Sequence, residues 1–313
     1  MPAISATAPG KCILFGEHAA VYSRPALAVP VFQVRARVMA MANITGKPGT
    51  VHIQAPDVGL ESELDQLPGD HPLSIAAHGV MAALSIDRSL AVTLRITSTI
   101  PLAAGLGSGA AVSVALIRAF SAFLGHSLPA EQVNSLAYEV EKRLHGTPSG
   151  IDNTVITYGQ PVYFIKGQPP RLFQVPVPFT LVVADTGVRS PTAKAVGDVR
   201  AAWEAEPDRY NPIFDRIGVL AHHALDCIQQ GHPEEMGPLM DANQVLLQQM
   251  GVSSPDLERL VEAARTAGAL GAKLSGGGGG GITIALVNPA SAPTIIAALQ
   301  SAGAAQVFST RVQ

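Results

Sequence analysis

Hydrophobic and polar positions alternate along two stretches in the first half of the chain. Valine and alanine alternate with glutamine and arginine within residues 29–41, and valine, leucine and isoleucine alternate with threonine and arginine within residues 90–97. A repeat of two residues places successive side chains on opposite faces of a strand, so both stretches are predicted to be half-buried β-strands. A shorter strand is predicted at residues 51–54.

Helical spacing of apolar residues begins further along the chain. It covers residues 108–123 and, after Pro129, continues to about residue 144, where Gly146 and Pro148 prevent continuation. A second helical start follows this turn, and helical patterns dominate residues 191–268. The elements predicted in the second half are helices at 196–203, 213–229, 236–250, 257–267 and 292–301, and strands at 179–184, 282–287 and 306–309.

A domain boundary is predicted near residue 170. Gly159, Pro161 and the Gly-Gln-Pro-Pro run at 167–170 interrupt the periodic pattern there. The segment before them is rich in strands and the segment after them is rich in helices. This order predicts a two-domain α+β protein with domains at residues 1–170 and 171–313.

Composition narrows the class of protein. The 313 residues are 47% hydrophobic and 14% charged, with a net charge of −3, so no basic surface is predicted for nucleic acid or an acidic membrane. Cys12 and Cys227 lie far apart, and the first nine residues lack the order of a secretion signal, which predicts a cytoplasmic protein. The charge-free stretch between Arg95 and Arg118 contains Pro101 and several glycines, so we expect a strand, loop and helix there rather than a membrane span.

Three Gly-rich or charged segments carry the candidate chemistry: 9–18 (PGKCILFGEH), 101–110 (PLAAGLGSGA) and 273–281 (KLSGGGGGG). Glycine lets backbone amides approach a ligand, and amides at a helix start attract anions. The middle segment is not a nucleotide P-loop, because no Gly-Lys-Ser/Thr follows, and helix–sheet packing would also explain its glycines. The last segment could be a linker, but apolar residues flank it on both sides. Together the three segments predict one phosphate-binding site.

Two carboxylates and one histidine add to this pattern. Glu141 and His145 share one face of a predicted helix, and Asp152 follows the turn after that helix. Taken singly, a surface ion pair with the neighbouring lysine or arginine would explain Glu141, helix capping would explain Asp152, and a structural hydrogen bond would explain His145. Together with Lys11 and Ser108, the two carboxylates suit phosphoryl transfer, which needs a phosphate cradle, Mg2+, a cation and a carboxylate facing the acceptor hydroxyl.

The opening run at 8–22 (APGKCILFGEHAAVY) and the run at 145–153 (HGTPSGIDN) make the pattern more specific. The chain resembles the superfamily of galactokinase, homoserine kinase, mevalonate kinase and phosphomevalonate kinase, and within it the mevalonate kinases most. The openings typical of galactokinases and of diphosphomevalonate decarboxylases are absent. The resemblance implies a first domain like the second domain of ribosomal protein S5 and a ferredoxin-like second domain. It also implies ATP and Mg2+ as cofactors and mevalonate as the small-molecule substrate; it is compatible with a homodimer, although the sequence specifies no oligomeric state.

The resemblance also implies roles for individual residues. Asp152 is expected to be the catalytic base with Lys11 as its partner, and Ser108 and Glu141 are expected at Mg2+. Arg189 is expected to hold the substrate carboxylate; Lys194 is the alternative, and either could be an ordinary exposed cation. Glu17 and His18 are expected to face the substrate, Pro101, Ala103, Ala104, Gly105, Leu106, Gly107, Ser108, Gly109 and Ala110 to wrap the triphosphate, and Gly276 and Gly278 to support that loop.

The chain departs from the family pattern at a few positions, and other activities compete. Gly109 stands where a second serine is common, and Gly277 where alanine is common; both changes keep the backbone tight. The competing activities are phosphorylation of phosphomevalonate or another hydroxylated compound, ATP-dependent decarboxylation of a phosphorylated mevalonate, and non-catalytic nucleotide sensing. Lys11 disfavours the decarboxylase, and its presence together with Glu141 and Asp152 disfavours the sensor.

Overall fold

The structure is a computed structural model that describes residues 3–87, 91–145 and 148–313. The contacts between Cα atoms divide the chain into two compact units. The first unit contains the described residues of Met1–Gly10, Val34–Pro101 and Gly107–Gly159, and the second contains Lys11–Gln33, Leu102–Leu106 and Gln160–Gln313. The predicted boundary at residue 170 stays a prediction.

Two long strands each contribute residues to both units: β1 (Ile4–Phe15) and β2 (Ala26–Ala42), which pair with each other. In the first unit, β2 pairs with β5 (Val92–Ser98), and β5 pairs with β3 (Val51–Ala55), which pairs with β4 (Leu60–Glu63). The β3–β5 pair is parallel, and the β2–β5 and β3–β4 pairs are antiparallel. The helices of this unit are α1 (Pro72–Ala83), α2 (Ser108–Phe123), α3 (Ala130–His145) and α4 (Ile151–Tyr158), with short 3₁₀ turns at Pro56–Val58 and Leu64–Gln66.

Helix α2 is the central helix of the first unit. Arg118 is its only charged residue, and most of its side chains are buried on every side. A helix that is apolar all round needs neighbours on several faces. Helices α1, α3 and α4 and strand β5 supply them. Arg118 donates a hydrogen bond to the carbonyl oxygen of Thr157 near the end of α4.

The second unit contains the remaining elements. The first part of β2 pairs with β6 (Val162–Phe164), which pairs with β7 (Arg171–Leu172). The other strands of this unit are β8 (Phe179–Asp185), β9 (Gly271–Ser275), β10 (Ile282–Val287) and β11 (Gln306–Val312). Its helices are α5 (Thr192–Ala205), α6 (Pro207–Gln230), α7 (Met236–Gln249), α8 (Pro255–Thr266) and α9 (Ala292–Ser301), with 3₁₀ turns at Ala19–Tyr22 and Pro233–Glu235.

The order of the four later strands is β11-β8-β10-β9, and every pair is antiparallel. Helices separate β8 from β9, β9 and β10 are adjacent in sequence, and α9 separates β10 from β11. This split β-α-β arrangement is the ferredoxin-like topology. The ferredoxin-like second domain implied by the sequence resemblance is therefore confirmed.

The predicted elements compare well with the observed ones. Helix α2 has the predicted bounds, strand β10 does too, and each of the longer predicted helices is present with its ends shifted by a few residues. Helix α1 and strands β1, β4, β6, β7 and β9 were not predicted as elements. The predicted strand start at residue 90 and the turn at Gly146 lie outside the described residues. Across the described part of the chain, none of the helices combines the length and the hydropathy needed to cross a bilayer.

Candidate active site

The opening charged segment lies at the end of β1 and continues into the turn after it. Lys11 is 3% exposed, and its backbone N–H donates to the carbonyl oxygen of Leu106 at 3.0 Å. Residues 11–18 and 102–106 are therefore neighbours within the second unit. Lys11 lies within β1, which pairs with β2, so the sheet and the bond to Leu106 hold its backbone in place.

The third segment joins the same place. The hydroxyl of Ser275 accepts a hydrogen bond from the Ile13 N–H and donates one to the Ile13 carbonyl, both at 2.9 Å. Nε2 of His18 lies 3.0 Å from the carbonyl oxygen of Gly277. Three stretches that are remote in sequence thus meet within the second unit, as the sequence predicts.

The six-glycine run packs against the loop at 102–106. A Cβ added to Gly281 would lie 2.8 Å from the carbonyl oxygen of Ala104, and one added to Gly105 would lie 3.3 Å from the carbonyl oxygen of Ser275. Backbone approaches this close leave no free space for a side chain at Gly281 and little at Gly105. The run is therefore a tightly packed loop between β9 and β10 and not a flexible linker. Gly276 and Gly278 lie within it, at positive φ.

The middle segment leads from a loop into α2. Gly107 is the N-cap of α2 at a φ of 74°, and because it has no side chain it cannot cap the amides of the first turn. The N–H groups of Ser108, Gly109 and Ala110 therefore have no helical carbonyl to donate to, while the Ala111 N–H donates to the Gly107 carbonyl. Such amides favour an anion at the helix start. Leu102 and Ala103 before them are exposed, Pro101 is half-buried, and Ala104 and Leu106 are buried.

The two carboxylates predicted for catalysis lie on neighbouring helices of the first unit. Glu141, on α3, is 4% exposed. The flanking cations pair elsewhere: Lys142 Nζ lies 2.6 Å from an oxygen of Glu139, and Arg143 lies 3.6 Å from a carboxylate oxygen of Asp70. Burial of Glu141 disfavours the alternative of a surface ion pair, and its expected place at Mg2+ stays a prediction. The side chain of His145, at the end of the same helix, lies outside the described residues.

Asp152 is the second residue of α4 and is half-buried. The N-cap of α4 is Gly150, at a φ of 93°, and the hydroxyl of Ser149 accepts from the Ile151 N–H at 3.3 Å. Asp152 is thus inside the first turn and is not its N-cap. Helices α2, α3 and α4 pack on one another, so the elements that carry Ser108, Glu141 and Asp152 form one rigid group.

A magnesium ion bound to phosphates needs few protein ligands. No three His, Cys, Asp or Glu side chains within the described ranges are grouped as a metal site. Mg2+ commonly takes one or two protein oxygens and completes its shell with phosphate oxygens and water. The hydroxyl of Ser108 and the buried carboxylate of Glu141 are donors of that kind, so the residues present fit the ion.

Glu17 lies in a buried polar cluster that the sequence reading did not find. It is 1% exposed, and Lys273 Nζ donates to its Oε1. Asn243 Nδ2 donates to its Oε2 at 3.0 Å. Burial lowers the pKa of Lys273, and the charge of Glu17 acts in the opposite direction. Burial also raises the pKa of the neighbouring Cys12 to about 12, which keeps this thiol protonated and inert.

His18 is held in an unusual conformation beside that cluster. Its φ is 60° and its side chain is 7% exposed. Burial lowers its pKa to about 4, while the hydrogen bond with the Gly277 carbonyl acts in the opposite direction. The ring is therefore neutral near pH 7, with the proton on Nε2 donated to Gly277. Nδ1 is then a buried acceptor, and within the described residues it has no hydrogen-bond partner.

The two cations proposed for a substrate carboxylate have different surroundings. Arg189 donates through one guanidinium nitrogen to both oxygens of Asp185, at 3.2 and 2.9 Å. Asp185 is 3% exposed and also accepts from the Gly187 N–H. Lys194 pairs with Asp198 at 2.7 Å on the exposed face of α5. Arg189 is therefore anchored on a buried group, whereas Lys194 belongs to an ordinary surface pair.

A Gly-rich loop at a helix start, a second glycine loop packed on it and a buried lysine together define a phosphate-handling enzyme of the GHMP kinase class. Two family models agree: GHMP kinases N terminal domain matches residues 74–160, and GHMP kinases C terminal matches residues 224–305. A mevalonate kinase of Pyrococcus horikoshii is 38% identical over 96% of this chain and 93% of its own length. The chain therefore belongs to the mevalonate kinase family of the GHMP kinases.

Solved structures agree with this assignment. The Methanococcus jannaschii mevalonate kinase superposes with a TM-score of 0.86 at 25% identity, over 100% of this chain and 99% of its own. The L. major mevalonate kinase in complex with R-mevalonate superposes with a TM-score of 0.81 at 31% identity, over 99% and 95%. The predicted family and the predicted two-domain GHMP kinase fold are thus confirmed.

Proposed function

We propose that this chain catalyses the ATP-dependent phosphorylation of the 5-hydroxyl of mevalonate to 5-phosphomevalonate. The observation that carries the proposal is the meeting of segments 11–18, 102–106 and 273–281, which builds a glycine-lined backbone surface beside a buried lysine. Membership of the mevalonate kinase family supports the acceptor, since the L. major relative binds R-mevalonate.

The triphosphate of ATP is assigned to the backbone of residues 101–110. The amides of the first turn of α2 supply hydrogen bonds and a positive dipole end, which stabilise phosphate oxygens. Gly276 supports this loop through its contact with Gly105, and Gly278, packed on the Val252 carbonyl, holds the second glycine segment in place behind it.

The proton of the acceptor hydroxyl is assigned to Asp152. The hydroxyl oxygen attacks the γ-phosphorus in line, the bond to the bridging oxygen of ADP breaks, and the Asp152 carboxylate takes the proton. Lys11 is the cation that stabilises the negative charge developing on the transferred group. Asp152 is half-buried in the first turn of α4, so its carboxylate can be reached by an acceptor hydroxyl.

Magnesium is assigned to Ser108 and Glu141. When bound with ATP, Mg2+ neutralises phosphate charge and orients the terminal phosphate. The Ser108 hydroxyl and the Glu141 carboxylate, on the packed helices α2 and α3, would hold the ion when it binds with ATP.

The substrate side is assigned to His18, to Glu17 behind it, and to Arg189. The unpartnered Nδ1 of His18 accepts a hydrogen bond from a hydroxyl of the acceptor. The guanidinium of Arg189, held by Asp185, offers its remaining N–H groups to the acceptor carboxylate. Arg189 is preferred over Lys194 because a buried carboxylate, Asp185, orients its guanidinium through one nitrogen, whereas Lys194 pairs with Asp198 on the exposed surface.

An acceptor screen tests the function. Purified protein with MgATP is given mevalonate, 5-phosphomevalonate or 5-diphosphomevalonate, and ADP and CO2 are measured. We expect ADP release with mevalonate, 5-phosphomevalonate as the product, and no CO2. ADP release with 5-phosphomevalonate alone would move the assignment to the next acceptor, and CO2 release would identify a decarboxylase. If none of the acceptors causes ADP release, the remaining alternative is a non-catalytic nucleotide sensor.

A further inference from the structure

Lys273, which has no role in the assigned chemistry, forms an ion pair with Glu17, the residue behind His18 on the substrate side. Both side chains are essentially inaccessible, at 0% and 1% exposure. Lys273 Nζ donates to Glu17 Oε1 and to the Leu274 carbonyl, the latter at 2.6 Å. Asn243 Nδ2 completes the shell of the carboxylate at Oε2. Both carboxylate oxygens are therefore bonded to protein groups. Removing one partner of such a buried ion pair destabilises the folded protein, because the other charge is left buried and uncompensated.

The pair joins the two chain segments that carry the His18–Gly277 contact. Glu17 directly precedes His18, whose left-handed φ of 60° must be imposed by its surroundings. Lys273 lies on β9, four residues before Gly277. The turn after β1 and the β9–β10 loop are therefore joined at two points. The ion pair joins Glu17 to Lys273, and the hydrogen bond joins His18 to Gly277 at 3.0 Å.

Strand β9 is also held by contacts with helix α7. The Leu274 N–H donates to the side-chain oxygen of Gln244 at 2.9 Å, and Asn243 is the residue next to it. Adjacent amide side chains of one helix therefore bind the strand and Glu17. Lys273 cannot move without breaking this set of contacts.

We propose that Lys273, together with Glu17 and Asn243, is a positioning residue for acceptor binding: it holds His18 against the glycine loop and does not touch the substrate. The inference rests on the proposed function and adds a residue that none of the assigned roles includes. Lys273 acts through His18, so its loss weakens acceptor binding while the nucleotide loop keeps its structure.

The test replaces the charges without changing shape. The single variants Glu17→Gln and Lys273→Met each leave one buried charge, whereas the double variant E17Q/K273M removes both, so the double variant is the one to assay. We expect its KM for mevalonate to rise about tenfold, as for a lost hydrogen bond to an oriented partner, with its KM for ATP unchanged. The Arg265→Met variant is the matched control, since Arg265 ties α8 to Asp241 of α7 and to the Ala272 carbonyl of the same strand. It should lower Tm and leave both KM values as they are.

A second readout does not need activity. With 13C-labelled histidine, the ring signal of His18, assigned from a His18→Gln variant, reports its titration. We expect it to titrate near 4 in the native protein and closer to its ordinary value of 6.5 in E17Q/K273M, and to be unaffected in Arg265→Met. An unchanged His18 titration or an unchanged mevalonate KM in a folded double variant would overturn the inference. If the native protein does not phosphorylate mevalonate, the proposed function fails, and the His18 titration still decides whether Lys273 positions His18.

Discussion

The imidazole of His18 and the carbonyl of Gly277 lie 3.0 Å apart, although 259 residues separate them in sequence. This contact joins the turn after β1 to the loop between β9 and β10. It also fixes the tautomer of the neutral ring, because Nε2–H donates to Gly277 and leaves Nδ1 as a buried acceptor. One hydrogen bond therefore connects the geometry of the glycine loop with the orientation of the His18 ring.

The stability of the protein should depend on pH through His18. Its pKa is about 4 in the native state and near 6.5 when unfolded, so between these values the unfolded chain binds a proton that the folded chain does not. The free energy of unfolding therefore falls as the pH decreases from about 6.5 to about 4, by up to roughly 3 kcal/mol. Urea unfolding across this range should show that slope, and His18→Gln should remove it. The exposed His222 on α6, changed to glutamine, is the control that should keep it.

Two adjacent glycines should respond differently to alanine. A Cβ on Gly278, whose φ is 78°, would lie 2.1 Å from the Val252 carbonyl oxygen, whereas one on Gly277 would only touch Ala195 at 3.4 Å. We expect Gly278→Ala to lower the free energy of unfolding by roughly 2–4 kcal/mol and to impair ATP binding. Gly277→Ala should be neutral or stabilising by up to about 1 kcal/mol. Thermal unfolding with and without ATP measures both effects, and equal losses in the two variants would contradict the loop geometry.

Asp152→Asn should abolish chemistry without abolishing nucleotide binding. The amide cannot accept the hydroxyl proton, so kcat should fall by roughly 10²–10⁴-fold, the range that general-base catalysis supplies. Asp152 is half-buried at a helix start, and asparagine has the same shape, so the fold should persist. Turnover and ATP affinity by calorimetry measure the two quantities. Near-normal turnover would remove Asp152 from the role of base.

Ser108→Ala should chiefly change the response to Mg2+. The hydroxyl is assigned as one of two protein ligands, so its loss should raise the Mg2+ concentration needed for half-maximal rate. The backbone amide of residue 108 remains, so ATP affinity should change less. A Mg2+ titration of the initial rate, compared with Ser113→Ala on the buried part of α2, separates a ligand from a packing effect. An identical titration in the native protein and Ser108→Ala would exclude the ligand role.

Arg189→Gln should weaken acceptor binding alone. Losing a charge-assisted contact to a carboxylate costs about 1.5–3 kcal/mol, so the KM for mevalonate should rise at least tenfold while that for ATP stays constant. Lys194→Gln, five residues further along, is the matched control because its ammonium pairs with Asp198 on the surface. Steady-state kinetics with both variants tests the choice between the two cations, and a larger effect in Lys194→Gln would reverse it.

Local patterns predicted most of the fold. The period of two found β2 and β5, and the apolar helical spacing found α2 within its observed bounds. Helix α1 was missed because its small apolar residues, around Ala76 and Ala77, give only a weak face. Strand β1 was missed because its last residues are buried almost without alternation and carry the motif that drew attention to the chemistry.

The candidate site was predicted less completely, for a physical reason. Glycine spacing indicates where the backbone comes close to a ligand or to another segment, and it identified segments 101–110 and 273–281. It does not show which side chains pair across the fold. The partner of Glu17 is 256 residues away in Lys273, and the two are brought together by tertiary contacts, among them the Ser275–Ile13 hydrogen bonds and the bond from Asn243 of α7 to Glu17. The lysine before the serine and the six glycines was a signal in the sequence, since a charge inside an apolar strand requires a counter-charge.

The second unit is built from three separate stretches of the chain, and this limits which fragments of the protein can fold alone. Residues 11–33 and 102–106 belong to it although they are synthesised long before Gln160. A fragment of residues 160–313, expressed alone, would lack Glu17, so Lys273 would be left as an uncompensated cation inside its sheet. It would also lack Ala19 and Tyr22, which pack on the helical core around Phe214. The second unit therefore cannot be obtained by simple truncation; a fusion or permuted chain that restores the early segments is required.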